Sequence, residues 1–294
     1  LLQEAPSVFI KSYGQAGIST PSFRGTGSGH TQVFWNDAPI NSPMLGQSDL
    51  GLYSTGLFDW ISLHYGSGSL EFGEGGLGGA IKLRNRVYSL RDESNRQEGK
   101  FQFTQEVGSF GTYRTGIQSQ YARKKWWMST KANSTFAEND FTFQDISRLG
   151  DPLDTLQHSR VEQITVLQQF GVGDYYNGVA ARVWINGMDR ELPPTMVTNN
   201  YTESQGDRSI KVQVEGNKEL PKERHLRSSY TYAFDQLDYQ NIQAGIFSLS
   251  QNHSHNLDLL VEQWAFGTPL IANFHSAGLR LGHDASRSPG YQEE

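Results

Sequence analysis

From residue 100 onward apolar and polar residues alternate, and the pattern recurs in nine separate segments. Phe101, Phe103 and Val107 oppose Lys100, Gln102, Thr104 and Glu106. Tyr113, Ile117 and Tyr121 oppose Arg114, Gln118 and Gln120; Trp126, Met128, Ala132 and Phe136 oppose Ser129, Lys131 and Asn133. The same alternation runs through Ile164 to Val172, Val179 to Ile185, Ile210 to Val214, Leu226 to Phe234, Leu257 to Val261 and, less cleanly, Ala277 to Leu281. A period of two sends successive side chains to opposite faces of an extended chain. Each segment is therefore expected to be a strand with one greasy and one wet face.

The connections alternate as well. Arg123-Lys124-Lys125, Gly173-Asp174, Leu220-Pro221-Lys222 and Gly267-Thr268-Pro269 read as tight turns. Long polar loops are expected at about 138–160, 190–208 and 238–252. Short turns at one end and long loops at the other is the layout of an outer-membrane barrel, with the apolar face toward lipid and the polar face toward the lumen. Trp126, Phe136, Tyr230 and Phe234, near segment ends, fit the headgroup level. A soluble β-sandwich alternates in the same way. Composition is compatible with both: 36% of residues are hydrophobic and 19% charged, and a transmembrane strand needs apolar residues only at every second position. A net charge of −6 offers no footprint for nucleic acid. The absence of cysteine excludes disulfides and thiolate metal sites. No apolar run reaches the roughly 18 residues of a transmembrane helix.

Composition shifts near residue 86. Before it, segments are short and glycine-dense; short strands are expected at Val8 to Ile10, Pro21 to Arg24, Gln32 to Trp35 and Trp60 to His64. Phe23-Arg24-Gly25, then Val33 to Asn41, then Tyr65 to Gly73 running into Leu77-Gly78-Gly79-Ala80-Ile81, resemble in order and spacing the plug of a TonB-dependent outer-membrane receptor. The resemblance covers residues 1–85; beyond them it holds only as a strand pattern. It departs at Tyr65, where the family has Arg, at Ser67, where it has Pro, and at Ala38, where it has Gly. Trp35-Asn36-Asp37, Asn41 to Leu50 and Gly56 to Asp59 resemble a Bacteroidota branch of cobalamin and iron-complex receptors.

The resemblance implies an all-β-dominated protein truncated at both ends: the C-terminal part of a glycine-rich plug at 1–85, then about nine antiparallel strands of a transmembrane β-barrel at 86–294. It implies active uptake of a scarce metal chelate, cobalamin or an iron–siderophore, across the outer membrane of a Gram-negative bacterium, with no enzyme chemistry and no cofactor. The implied partners are outer-membrane lipid, the ligand, a TonB-type energy-transducing protein acting through a segment before Leu1, and a surface lipoprotein as a possible addition. A glycan-type importer and a soluble β-sandwich binding protein remain as alternatives. In the family layout the upward plug loops fall at about 12–20 and 41–49. Tyr13, Gln15, Ser42, Met44 and Gln47 would then meet substrate, while Arg24, Gly25, Gly66, Gly73, Gly78 and Gly79 would pack plug against barrel. Family plug arginines pair with wall carboxylates; Arg24 keeps one such position and Tyr65 loses the other. Phe141, Phe143, Met196 and Tyr201 in the long loops could close over a ligand or pack on each other.

Other motifs carry less. Gly25-Thr26-Gly27-Ser28-Gly29 lacks the Gly-Lys-Ser/Thr and βαβ context of a phosphate loop. His253-Ser254-His255 places two rings on one strand face, which suits a metal or, as the commoner case, a solvated or lumen-facing strand start. No catalytic residues and no metal ligands are assigned.

Overall fold

A computed structural model describes residues 8–12, 17–23, 25–66, 77–87, 98–123, 125–194, 201–268 and 271–288, with backbone only at 98, 264–268 and 271–274. In the first part β1 (Val8–Ser12) and β2 (Ser19–Phe23) form a hairpin. A separate four-stranded sheet comprises β3 (Thr31–Trp35), β4 (Ala38–Pro39), β5 (Trp60–Tyr65) and β6 (Gly79–Arg84), in the order β4-β3-β6-β5. β3 and β6 run parallel and the other pairs antiparallel. The β3–β4 turn is made by Asn36 and Asp37, both at positive φ, a conformation these two residue types tolerate. Gly79 (φ +155°) has no room for a side chain: a Cβ there would stand 2.6 Å from the His64 carbonyl oxygen and 2.9 Å from the Phe23 ring.

The second part is one nine-stranded sheet: β7 (Glu98–Gly108), β8 (Thr112–Arg123), β9 (Trp126–Ala137), β12 (Val161–Gly173), β13 (Gly178–Glu191), β14 (Glu203–Leu220), β15 (Arg224–Asn241), β16 (Ile246–Thr268) and β17 (Ile271–Arg287). Each strand pairs antiparallel with the next. The small hairpin of β10 (Thr142–Gln144) and β11 (Leu153–Thr155) lies between β9 and β12. All nine alternating segments are strands of this sheet. Two loop expectations need correction. β15 and β16 continue through 238–252 and join by a turn at 242–245, and β14 begins at Glu203, inside the expected 190–208 loop. Past the apolar belt both faces of a strand meet polar surroundings, so the hydrophobic alternation disappears while cross-strand bonds persist, as in Gln251–Gln236 at 3.0 Å.

Burial decides between membrane barrel and sandwich. Phe101 (72% exposed), Val107 (72%), Ile164 (61%) and Val179 (56%) turn their apolar side chains outward. The opposite face buries polar groups: Lys131, Gln169, Arg182, Asn186, Lys211 and Gln213. A soluble sandwich has the reverse arrangement. The four-stranded sheet lies on this polar inner face. Its core of Phe23, Val33, Trp35, Leu57, Ile81 and Leu83 is completed by two residues of the wall, Leu167 and Trp184.

Candidate ligand-binding site

Trp184 seats the inner domain. Its ring lies edge-on to Trp35, Tyr53 and Phe58 at 5.3–5.4 Å, its indole N–H donates to Thr165 Oγ1 at 3.1 Å, and Lys211 Nζ stands 5.2 Å from its ring centre. Edge-to-face geometry and the cation contribute beyond the area they bury. Both Trp184 and Leu167 stand at positions the alternation assigns to the polar face, so the pattern gave no signal for them.

Around this dry contact, ion pairs cross from plug to wall. Asp59 accepts from Lys131 at 2.8 Å, Asp49 from Arg190 at 3.0 Å and Asp37 from Arg227 at 3.0 Å. In these three pairs, among the described residues, the plug supplies the carboxylate and the wall the cation. Arg24 lies outside the described residues. Asp37 also accepts from Lys82 at 3.0 Å and Arg84 at 2.9 Å, both on β6, and its carbonyl takes an N–H from Arg280 at 2.8 Å. Burial works to raise the Asp37 pKa, but Lys82 and Arg84 outweigh it and hold the carboxyl well below the usual range.

The two ends of the wall differ. Asp37 sits toward the tight turns, near Arg227 of β15. Asp49 sits toward the longer loops, where Arg190 also binds Asp207 at 3.0 Å. There the loop 41–49 is fixed by its own polar groups. Asn41 Oδ1 accepts from the Val33 N–H at 2.7 Å, and its amide donates to Thr31 O and Gly46 O. The Gln47 side chain accepts from Ser28 Oγ at 2.5 Å. Asp49 Oδ1 accepts from the N–H groups of Ser19 and Gly51. A loop held this way projects its tip, and Met44 (40% exposed) and Leu45 (56%) stand out from it.

Between this tip and the wall lies a cavity of about 190 Å³. Ser42, Met44 and Gln47 line it, with Ile18, Leu45 and Tyr53 adding apolar surface and Arg190, Asp207, Asp235 and Asn252 adding polar groups from β13 to β16. The Tyr53 hydroxyl is pushed up, first by burial and then by Asp235 and Asp49, and stays neutral. A second, more polar gap of about 600 Å³ separates the turns at 51–56 from β8, β9 and β12. Three of the substrate residues read from the sequence thus share one cavity; Tyr13 and Gln15 lie outside the described residues. Arg190, Asp207 and Asn252 were missed because inward polar and charged residues are the rule on such a wall and nothing in the sequence marks which of them faces the loop. Of the packing glycines, Gly25 (φ +78°) and Gly66 (φ +69°) make turns. Gly78 and Gly79 lie against Thr26, His30, His64 and Phe23, all within the plug, and Gly73 lies outside the described residues. His253 and His255 are in mid-strand on the outward face, not at a lumen-facing strand start. Among the described residues no group of three or more His, Asp or Glu could hold a metal ion, and no helix is long and apolar enough to cross a membrane.

A glycine-dense sheet seated on the wet face of an outwardly apolar strand wall defines a plugged transmembrane β-barrel. Comparison with known proteins agrees. Residues 1–80 match the TonB-dependent Receptor Plug Domain family. The chain is similar in fold to the FrpB iron transporter from Neisseria meningitidis in its apoprotein form (TM-score 0.73, 13% identity, 98% of this chain and 44% of that one). It is likewise similar to the copper transporter OprC (TM-score 0.72, 10% identity, 96% and 42%). A third match is the pyoverdine outer membrane receptor FpvA from Pseudomonas aeruginosa PAO1 bound to pyoverdine (TM-score 0.67, 13% identity, 98% and 43%). The chain spans less than half the length of these three structures. No curated protein matches it. Residues 1–80 thus carry a TonB-dependent receptor plug domain, and the strands that follow share the fold of the barrel strands in these solved structures.

Proposed function

We propose that this protein takes up a scarce metal chelate, an iron–siderophore or cobalamin, across the outer membrane of a Gram-negative bacterium. The observation that carries the reading is the cavity under the 41–49 loop. Apolar groups from the plug tip and polar groups from the long-loop end of the wall converge there, a mixed lining suited to holding one edge of a bulky chelate with a polar rim. The relatives named for iron, copper and pyoverdine support a metal-linked cargo. The ligand is bound and passed on without chemistry. The wall clasps the plug through Asp37, Asp49 and Asp59, so passage needs those pairs to part. A TonB-type protein of the inner membrane, pulling on the plug, would supply the work.

The test is equilibrium binding to the full-length receptor of cobalamin, several ferric siderophores and, as the competing cargo class, oligosaccharides. Saturable binding of one chelate, weakened at least about tenfold by Met44→Ala with Gln47→Ala, is the expected result. Saturable oligosaccharide binding with no chelate bound would overturn the reading.

A further inference from the structure

The outward face of β15 to β17 carries a cluster that cargo uptake does not use. Tyr230, Tyr232 and Phe234 of β15 stand beside His255 and His253 of β16, and His255 is directly opposite His283 of β17. The rings form one continuous surface: Phe234–His253 at 5.0 Å, Tyr232–His255 at 5.1 Å and His255–His283 at 6.3 Å. The neighbouring residues of β16, Asn252, Ser254 and Asn256, are buried on the inner face, so the histidines point away from the plug. Below them, toward the tight turns, the same face is apolar: Leu257, Leu259 and Val261 on β16, Leu279 and Leu281 on β17, each more than a third exposed. On the long-loop side of that stretch the cluster, then Gln251 and Gln236, interrupt the apolar face before the exposed Leu249 and Phe247, a change from greasy to mixed residues that fits the level at which headgroups meet a barrel.

The hydrogen bonds orient the donors. Tyr230 OH lies 2.8 Å from His255 Nδ1 and Tyr232 OH lies 3.0 Å from His253 Nδ1. With each phenol donating to Nδ1, the ring proton sits on Nε2. Among the described contacts neither Nε2 has a partner. The charged groups nearby do not cancel the donors. Asp235 faces inward to Lys211 at 2.6 Å, and Asp258 faces inward to Arg280. Asp284 pairs in register with inward Ser254. On the outward face Arg208 is taken by Asp189 at 2.6 Å. Asp238 lies further along β15, opposite Leu249, and Arg287 ends β17 opposite Gln251. Three imidazoles and an arginine thus face the headgroup layer with one carboxylate at the margin.

We infer that His253, His255 and His283, with Tyr230 and Tyr232, form a binding site for the phosphate group of an anionic lipid on the long-loop side of the membrane. The inference rests on the membrane reading above. The Nε2–H groups of His253 and His255, oriented by the phenols, would donate to the phosphate oxygens of the headgroup.

The experiment uses the full-length receptor in mixed micelles of phosphatidylcholine and phosphatidic acid, with retained lipid read by native mass spectrometry. The expected result is preferential retention of phosphatidic acid over phosphatidylcholine. His253→Gln with His255→Gln and His283→Gln should abolish it without changing heat-modifiable gel mobility. Replacing the same three residues with Lys should restore the preference. Unchanged retention in the Gln variant, or competition by inorganic phosphate at equal concentration, would overturn the lipid site while leaving the receptor reading intact. A full-length protein that stays monodisperse without detergent would overturn both.

Discussion

Asp37 shows how one turn residue ties plug to wall. Its backbone makes the β3–β4 turn, while its carboxylate meets Lys82 and Arg84 from the plug and Arg227 from the wall. Replacing it with Asn keeps the shape and strands those cations. A part-buried charge deprived of its partner costs about 1–3 kcal/mol, so Asp37→Asn should lower the unfolding midpoint of the refolded receptor by a corresponding amount. The pH dependence follows from the direction of the shift. The folded pKa is depressed, so the stabilisation is complete above the unfolded value of about 3.9 and is lost as pH falls toward the folded value. The gap between wild type and Asp37→Asn, measured by denaturant titration, should stay constant from about pH 8 to 5 and close only below about pH 4. A gap that closes between pH 7 and 5 would mean that another group controls it.

At the scale of elements, each strand keeps two accounts. Outward Ile185 is 47% exposed and belongs to the belt, while its neighbour Asn186 is buried against the plug. Ile185→Arg should cost about 2–4 kcal/mol near the membrane midplane, seen as reduced folding yield into phosphatidylcholine vesicles. The inner account contains exceptions that hold the domains together. Trp184→Ala would remove the ring on which Trp35, Tyr53 and Phe58 converge, at a cost of about 3–5 kcal/mol for a fully buried aromatic. The expected phenotype is a barrel that still migrates as folded while its plug becomes accessible to protease. Unaltered protease resistance would place the plug's anchorage in the ion pairs instead. Trp127 makes a related demand on its neighbour: its indole lies over Gly171, the residue opposite it on β12. A Cβ there would overlap the ring, so Gly171→Val is expected to disturb the β9–β12 pairing.

For the whole molecule, sheet closure is the governing constraint. Within the described residues β7 and β17 each have one strand neighbour and do not pair with each other. Backbone groups along such edges cannot be left unsatisfied in hydrocarbon. This 294-residue chain, refolded by itself into lipid vesicles, is expected to remain protease-sensitive and to show no heat-modifiable mobility. Stable insertion would show that it closes on itself or on a second copy. The same view explains the plug: a polar lumen wall needs partners, and the Asp residues of the inner domain provide some of them.

Periodicity is a property of neighbouring residues, and whatever depends on it was readable from the order of amino acids. That holds for the nine strands, for which faces are greasy, and for the glycine-dense segment before them. The loop 41–49 was legible through its composition and its likeness to plug sequences. The strand extensions through 238–252 were not, because beyond the belt no solvent contrast separates the two faces. Which charges meet was not legible either. Asp49 and Arg190 are 141 residues apart and Asp37 and Arg227 are 190 apart, and a charged residue looks the same in sequence whether it faces a partner or water. Only the docking of one sheet against the other decided that in the three described pairs the plug would bring the carboxylate and the wall the cation, and that Trp184 would turn inward among polar neighbours to complete an apolar core.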